Sequence, residues 1–172
     1  MAETVSGDVH LSGLGQLAGA KSVSGNVEVT DTQVDGTLDA GSVSGDVIAR
    51  RVKAERLDLS SVSGNIVIED VQCDRIAGHS TSGNTRFSGQ LAKGGRYELK
   101  SFSGEVRLVL AGSTGFEVEA ASFSGDVRSD IPLTTHGTEG GRRRRTLSGT
   151  FGDGSASLQL TTFSGSVIIT KK

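Results

Sequence analysis

Strict alternation of apolar and polar positions runs through this chain in short segments. In Phe102-Ser103-Gly104-Glu105-Val106-Arg107-Leu108-Val109-Leu110, positions 102, 104, 106, 108 and 110 are apolar or Gly, and the residues between them begin Ser, Glu, Arg. Val62, Gly64, Ile66 and Ile68 repeat the pattern, as do Phe163, Gly165, Val167 and Ile169. A period of two predicts β-strands with the apolar set on the buried face. A second alternating run precedes each of these, as in Leu57-x-Leu59-x-Ser61, Tyr97-x-Leu99-x-Ser101 and Leu158-x-Leu160-x-Thr162. No sustained 3.6-residue apolar stripe is present, so essentially no helix is expected.

The alternation is itself periodic. A five-residue phrase of the form Val/Phe-Ser-Gly-Asp/Asn-Val centres on Gly7, Gly25, Gly45, Gly64, Gly83, Gly104, Gly125 and Gly165. Successive spacings are 18, 20, 19, 19, 21, 21 and 40 residues. A unit of about 20 residues is too small to bury its own apolar face, and stacking in parallel register solves that problem. The expected fold is an all-β, single-domain parallel β-solenoid spanning 1–172, with about eight rungs and a length of about 38 Å at strand spacing. A meander of hairpins is the rival, but it would not align equivalent residues. The double spacing at the end implies an altered or replaced unit, with an irregular loop or hairpin insertion at about 129–157.

Register then assigns faces. The Gly column permits close backbone approach or a bend. The Val/Phe and Val/Ile columns are expected to form the core. Because Ser61, Ser101 and Ser122 directly precede Val62, Phe102 and Phe123, a corner is expected between each such pair. Outside run a Ser column (Ser6, Ser24, Ser44, Ser63, Ser82, Ser103, Ser124, Ser164) and a column of Asp8, Asn26, Asp46, Asn65, Asn84, Glu105, Asp126 and Ser166. Amides separate the first acids, whereas Glu105 and Asp126 are expected to be adjacent. The second column suits ladder hydrogen bonds and turn chemistry. Its hard oxygens also make Asp8, Asp46, Glu105 and Asp126 candidate contacts for a partner or for Ca²⁺.

The recurring phrase resembles the bacterial DUF4097 group, which carries an adhesin label. The ending Arg142-Arg143-Arg144-Arg145-Thr146-Leu147-Ser148-Gly149-Thr150-Phe151-Gly152-Asp153-Gly154, leading into Phe163-Ser164-Gly165-Ser166-Val167, is also similar to that family. The resemblance covers nearly the whole chain. It implies a parallel β-solenoid likened to a toast rack, and no catalytic residues that carry across. Members often have a further N-terminal segment or membrane anchor, so the chain is expected to be either a natural short form or an excised domain.

The rhythm breaks between Ser129 and Gly141. Pro132 ends a strand or sits at an edge, and Thr134 to Gly141 reads as a loop. Arg142 to Arg145 are either alternating strand residues or a solvated run. Read functionally, they form an anion patch for phosphate, anionic lipid or an acidic partner. Thr81 and Thr85 replace the usual Val, with His79 nearby, and a hydrogen-bonded polar rung is expected there. His10, His79 and His136 fall in separate units, so no metal site is expected.

Composition narrows the function. Ser and Gly make 48 of 172 residues, which would read as disorder without the repeat. A net charge of −2, one Tyr and no Trp give neither the field nor the stacking platforms of a nucleic-acid binder. Cys73 is the single cysteine, which excludes an intrachain disulfide and a thiolate zinc cluster. No signal peptide or apolar span is visible in the chain as written, which fits a cytoplasmic protein, or the cell envelope if it belongs to a longer anchored one. Gly13-Leu14-Gly15-Gln16-Leu17-Ala18 matches a dinucleotide fingerprint in letters but opens no helix. No P-loop or nucleophile elbow occurs, and no cofactor is expected. The reading is a non-catalytic structural or interaction module presenting Ser, Asp and Asn ladders to a protein, glycan or cell-envelope partner. One alternative is a self-assembling scaffold, a homo-oligomer stacked through its solenoid ends as bactofilins are, with Lys171-Lys172 opposing such stacking. A second is a β-helix polysaccharide-cleaving enzyme using the acidic column.

Overall fold

A computed structural model describes residues 2–13, 19–135 and 146–172. The first rungs are β1 (Ala2–Ser6), β2 (Val9–Ser12), β3 (Gly19–Ser24), β4 (Val27–Thr30), β5 (Thr37–Ser44) and β6 (Val47–Arg50). The middle ones are β7 (Lys53–Ser63), β8 (Ile66–Glu69), β9 (Gln72–Ser82), β10 (Thr85–Gln90), β11 (Arg96–Ser103) and β12 (Val106–Ala111). The last part holds β13 (Phe116–Ser124), β14 (Val127–Ser129), β15 (Thr134–Thr135), β16 (Thr146–Phe151), β17 (Ala156–Ser164) and β18 (Val167–Lys171). No helix occurs among the described residues.

The fold is an all-β parallel solenoid. One sheet has the order β1-β3-β5-β7-β9-β11-β17-β13-β16-β15, and the other β2-β4-β6-β8-β10-β12-β18-β14. Every pairing is parallel except β13–β16 and β15–β16. Equivalent positions share register, for example Leu38, Leu57, Ile76, Tyr97 and Leu158 across five neighbouring strands. The core is the space between the sheets, filled by these residues and by the Val27, Val47, Ile66, Val106 and Val167 column. Two further buried columns, one of Thr32, Val52 and Val71 and beside it one of Val34, Ala54 and Cys73, line the return from the short strand to the next long one. There the Tyr97 hydroxyl accepts the Ala92 N–H at 2.6 Å and its ring meets Phe87 edge-on.

Two expectations change. The Val/Phe column is not core: Val5, Val23, Val43, Val62, Phe102, Phe123 and Phe163 are 46% to 76% exposed. The buried positions are instead the preceding Ser22, Ser42, Ser61, Ser80, Ser101, Ser122 and Thr162. Strand β7 passes straight through Ser61-Val62, alternating in and out, so no corner lies between them. The direction changes over Ser63-Gly64-Asn65, where the parity resets before Ile66.

The second change concerns order. About five turns wind in sequence order, from the Gly7 phrase to the Gly104 phrase. The last two phrases then exchange places. Strands β17 and β18 insert between β11/β12 and β13/β14, pairing in parallel with both. The 40-residue spacing is therefore not a replaced rung within the stack. Beyond β13, the chain forms the antiparallel strands β15 and β16 on the outer edge of the longer sheet and then re-enters beneath it. Phe116 and Phe151 stack across that junction at 5.4 Å.

Candidate functional site

The phrase makes one corner of the solenoid, and each of its residues answers a problem the corner creates. Gly carbonyls and glycine α-carbons of neighbouring rungs meet so closely that a Cβ at Gly45 would lie 2.2 Å from the Gly25 oxygen. Equivalent contacts of 1.9–2.2 Å recur at Gly25, Gly64, Gly83, Gly104, Gly125 and Gly165. Gly45 also has φ +150°, where an L side chain is strained. Only Gly7, on the first rung, has no neighbour within 4 Å of that position.

Turning the chain here takes two backbone groups out of the ordinary ladder. From the second rung to the sixth, the N–H of the residue after Gly donates to the side-chain Oδ1 of its counterpart on the rung before: Asn26 to Asp8, Asp46 to Asn26, Asn65 to Asp46, Asn84 to Asn65 and Glu105 to Asn84, all at 2.8–3.0 Å. The Gly carbonyl is met from inside by the small hydroxyl residue. Ser22 donates to Gly7, Ser42 to Gly25, Ser101 to Gly83, Thr162 to Gly104 and Ser122 to Gly165, at 2.8–3.3 Å. Buried hydroxyls thus find acceptors, and a buried carbonyl finds a donor.

The acids in this column are never neighbours. Asn26 separates Asp8 from Asp46, Asn65 and Asn84 separate Asp46 from Glu105, and the re-entrant strand puts Ser166 between Glu105 and Asp126. The expected adjacency of Glu105 and Asp126 does not occur, because the last phrase occupies the rung between them. Each of these two acids instead faces an arginine two residues on, Glu105 with Arg107 at 2.9 Å and Asp126 with Arg128 at 3.6 Å. The eight Ser side chains of the phrase form an exposed row beside them.

Sequence reasoning missed the outward apolar stripe. In spatial order it reads Val5, Val23, Val43, Val62, Thr81, Phe102, Phe163 and Phe123. Phe102 stacks on Phe163 at 4.9 Å and Phe163 on Phe123 at 4.8 Å, with ring planes within 7°. The signal was present in the sequence: Leu57, Leu59 and Ser61 carry the inward parity, which places Val62 outside.

The remaining candidates lie apart. Arg142, Arg143, Arg144, Arg145 and His136 fall outside the described residues. His10 pairs with Glu28 at 3.1 Å, while His79 lies in register with Ser60 and Lys100. Among the described residues no group of three or more His, Cys, Asp or Glu side chains is placed to hold a metal ion. Thr81 is exposed. Thr85 is buried, and its hydroxyl has no hydrogen-bond partner among the described residues, contrary to the expected satisfied rung. It stands between Ile66 and Val106 in an otherwise aliphatic column. Cys73 is buried in the core, and burial pushes its thiol up to about 11. No helix of the described residues is long and apolar enough to cross a membrane.

Residues 2–170 match the model of a protein family, DUF4097, described as Toastrack. No curated protein and no solved structure matches the chain.

Proposed function

We propose that this chain, which belongs to the DUF4097 (Toastrack) family, is a non-catalytic interaction module that offers its corner columns to a protein, glycan or cell-envelope partner. The observation that carries this reading is the exposed Ser row beside an Asx column already fixed by backbone hydrogen bonds. Side chains held on rungs about 4.8 Å apart are ordered before binding, so little conformational entropy is lost when a polar, repetitive partner docks. The carboxylates support binding rather than glycoside hydrolysis. The nearest acids of the column, Asp8 with Asp46 and Glu105 with Asp126, stand two rungs or about 9.6 Å apart at strand spacing, at the far limit of the roughly 5–9.5 Å of a working carboxylate pair. Glu105 and Asp126 are each already paired with an arginine.

Glycan-array and calorimetric screens on envelope polysaccharides test the reading. Binding by the native chain should be lost in a Ser44→Ala, Ser63→Ala, Ser82→Ala triple variant whose melting temperature is unchanged. Binding that survives this triple change refutes the corner columns as the docking surface. Should glycan cleavage be detected and persist in Asp46→Asn and Asp126→Asn, the acidic-column enzyme is eliminated. End-to-end assembly has one observation in its favour, the unpaired outer edges of β1 and β2. Sedimentation that grows without limit with concentration would support it.

A further inference from the structure

We propose that the exposed Val/Phe stripe is the contact face of a two-fold symmetric dimer, in which two copies pack their longer sheets face to face with the solenoid axes antiparallel. This concerns the outer face of that sheet and stands apart from the corner-column reading.

Size comes first. Eight successive rungs place the stripe along about 34 Å. The seven apolar residues of the stripe, 46% to 76% exposed, together with the one side-chain column that precedes them, present about 600 Å², the lower end of the 600–1,000 Å² per partner of an ordinary stable interface. Soluble monomers rarely leave an apolar patch of more than a few hundred Å² in water.

Shape selects the orientation. One end of the stripe is three stacked Phe rings, and the other is three Val side chains. Parallel copies would set Phe on Phe at one end and leave a gap between the Val ends. Antiparallel copies set Phe123, Phe163 and Phe102 of one molecule over Val5, Val23 and Val43 of the other, which keeps the separation even. Each contact is then made twice, as a two-fold axis requires.

Charge agrees. The column two residues before the stripe reads Glu3, Lys21, Gly41, Ser60, His79, Lys100, Thr161 and Ala121 in rung order. In the antiparallel pair Glu3 faces Ala121, Lys21 faces Thr161, Gly41 faces Lys100 and Ser60 faces His79. Within this column no two like charges oppose each other, and one column further out, where Asp39 faces Glu98, each acid is already paired with a lysine of its own chain, Lys21 and Lys100.

Sedimentation equilibrium of the full chain should give twice 17.7 kDa with no larger species. Phe163→Glu, an exposed position, should raise the dimer dissociation constant about 100-fold or more without changing the circular dichroism spectrum. Orientation is read by disulfide trapping. A mixture of Val23→Cys and Phe163→Cys chains should cross-link to each other far faster than either does to itself, with the buried Cys73 silent. A chain that remains monomeric at all concentrations overturns the proposal and leaves the stripe to a different molecule. So does a dimer indifferent to Phe163→Glu, or one in which Val23→Cys links mainly to itself.

Discussion

The Gly carbonyls of the phrase corner, Gly125 on the last rung excepted, each meet a hydroxyl from within, and this division of labour sets what single substitutions do. Ser42→Ala removes the 2.9 Å donor to Gly25 and strands that carbonyl, at a cost of about 1–2 kcal/mol in denaturant unfolding. Gly45→Ala drives a methyl to 2.2 Å from backbone that is fixed by the neighbouring rung. No rotamer relieves that overlap, so the variant should lose more than about 4 kcal/mol or fail to fold. Thr85→Val runs the other way. It keeps the shape and removes a buried hydroxyl without a partner, and the melting temperature should rise by the equivalent of about 1 kcal/mol. Cys73 makes a pH prediction. Burial lifts its folded pKa from a thiol's ordinary 9.0 to about 11, so between these values the folded chain keeps the proton while the unfolded chain releases it. The stabilisation is whole below pH 9 and is lost as the pH climbs through 11, at most roughly 2–3 kcal/mol. Urea titrations of the native chain and Cys73→Ala should diverge only across that window.

At the level of strands, much was legible because period two reports parity wherever a strand is straight. Val27 and Val29, or Ile66 and Ile68, point inward as their spacing says. The error at Val62 shows the limit of that signal. Alternation runs cleanly on both sides of a corner, and nothing in it says which of two adjacent residues takes the bend. Counting back from Ile66 through Gly64 makes Val62 inward; counting forward from Leu57 through Ser61 makes it outward. The Gly backbone, able to take φ near +150° with no Cβ to clash, settles the matter in favour of the second. The role of the Asx column as a ladder was readable from residue type alone. Re-entry of β17 and β18 was not, since a spacing records distance along the chain and never the route. Deleting residues 146–172 should therefore remove an interior rung and abolish cooperative unfolding in circular dichroism melts. Deleting 2–13, an end rung, should leave a cooperative but weaker transition, because stability in a stack is a sum over neighbouring interfaces.

The whole molecule is a rod with unlike ends. At one end β1 and β2 present open edges. At the other, the longer sheet is finished by β16, which runs against the parallel grain, and by the two-residue β15, which pairs antiparallel with β16 in turn. A short antiparallel edge is a poor template for another parallel rung, which weighs against endless longitudinal growth and in favour of a closed lateral pair. The surface ion pairs add little to this rod. Asp31–Arg51 and Glu98–Lys100 hold their carboxylates below the usual range through charge-assisted hydrogen bonds, yet both are open to solvent. Raising the salt from 0.05 to 0.5 M should leave the melting temperature within a few degrees.

The out-of-order rung has a consequence during biosynthesis. As the polypeptide leaves the ribosome, six layers can zip up in the order they are made. The segment ending at Ser129 emerges next but has nothing to rest on, because its true neighbour is encoded some 40 residues later. Completion waits until β17 and β18 have been made. The last phrase thereby closes the stack, and a product truncated ahead of it would display the naked flank of β11 and β12 to the cell's proteases.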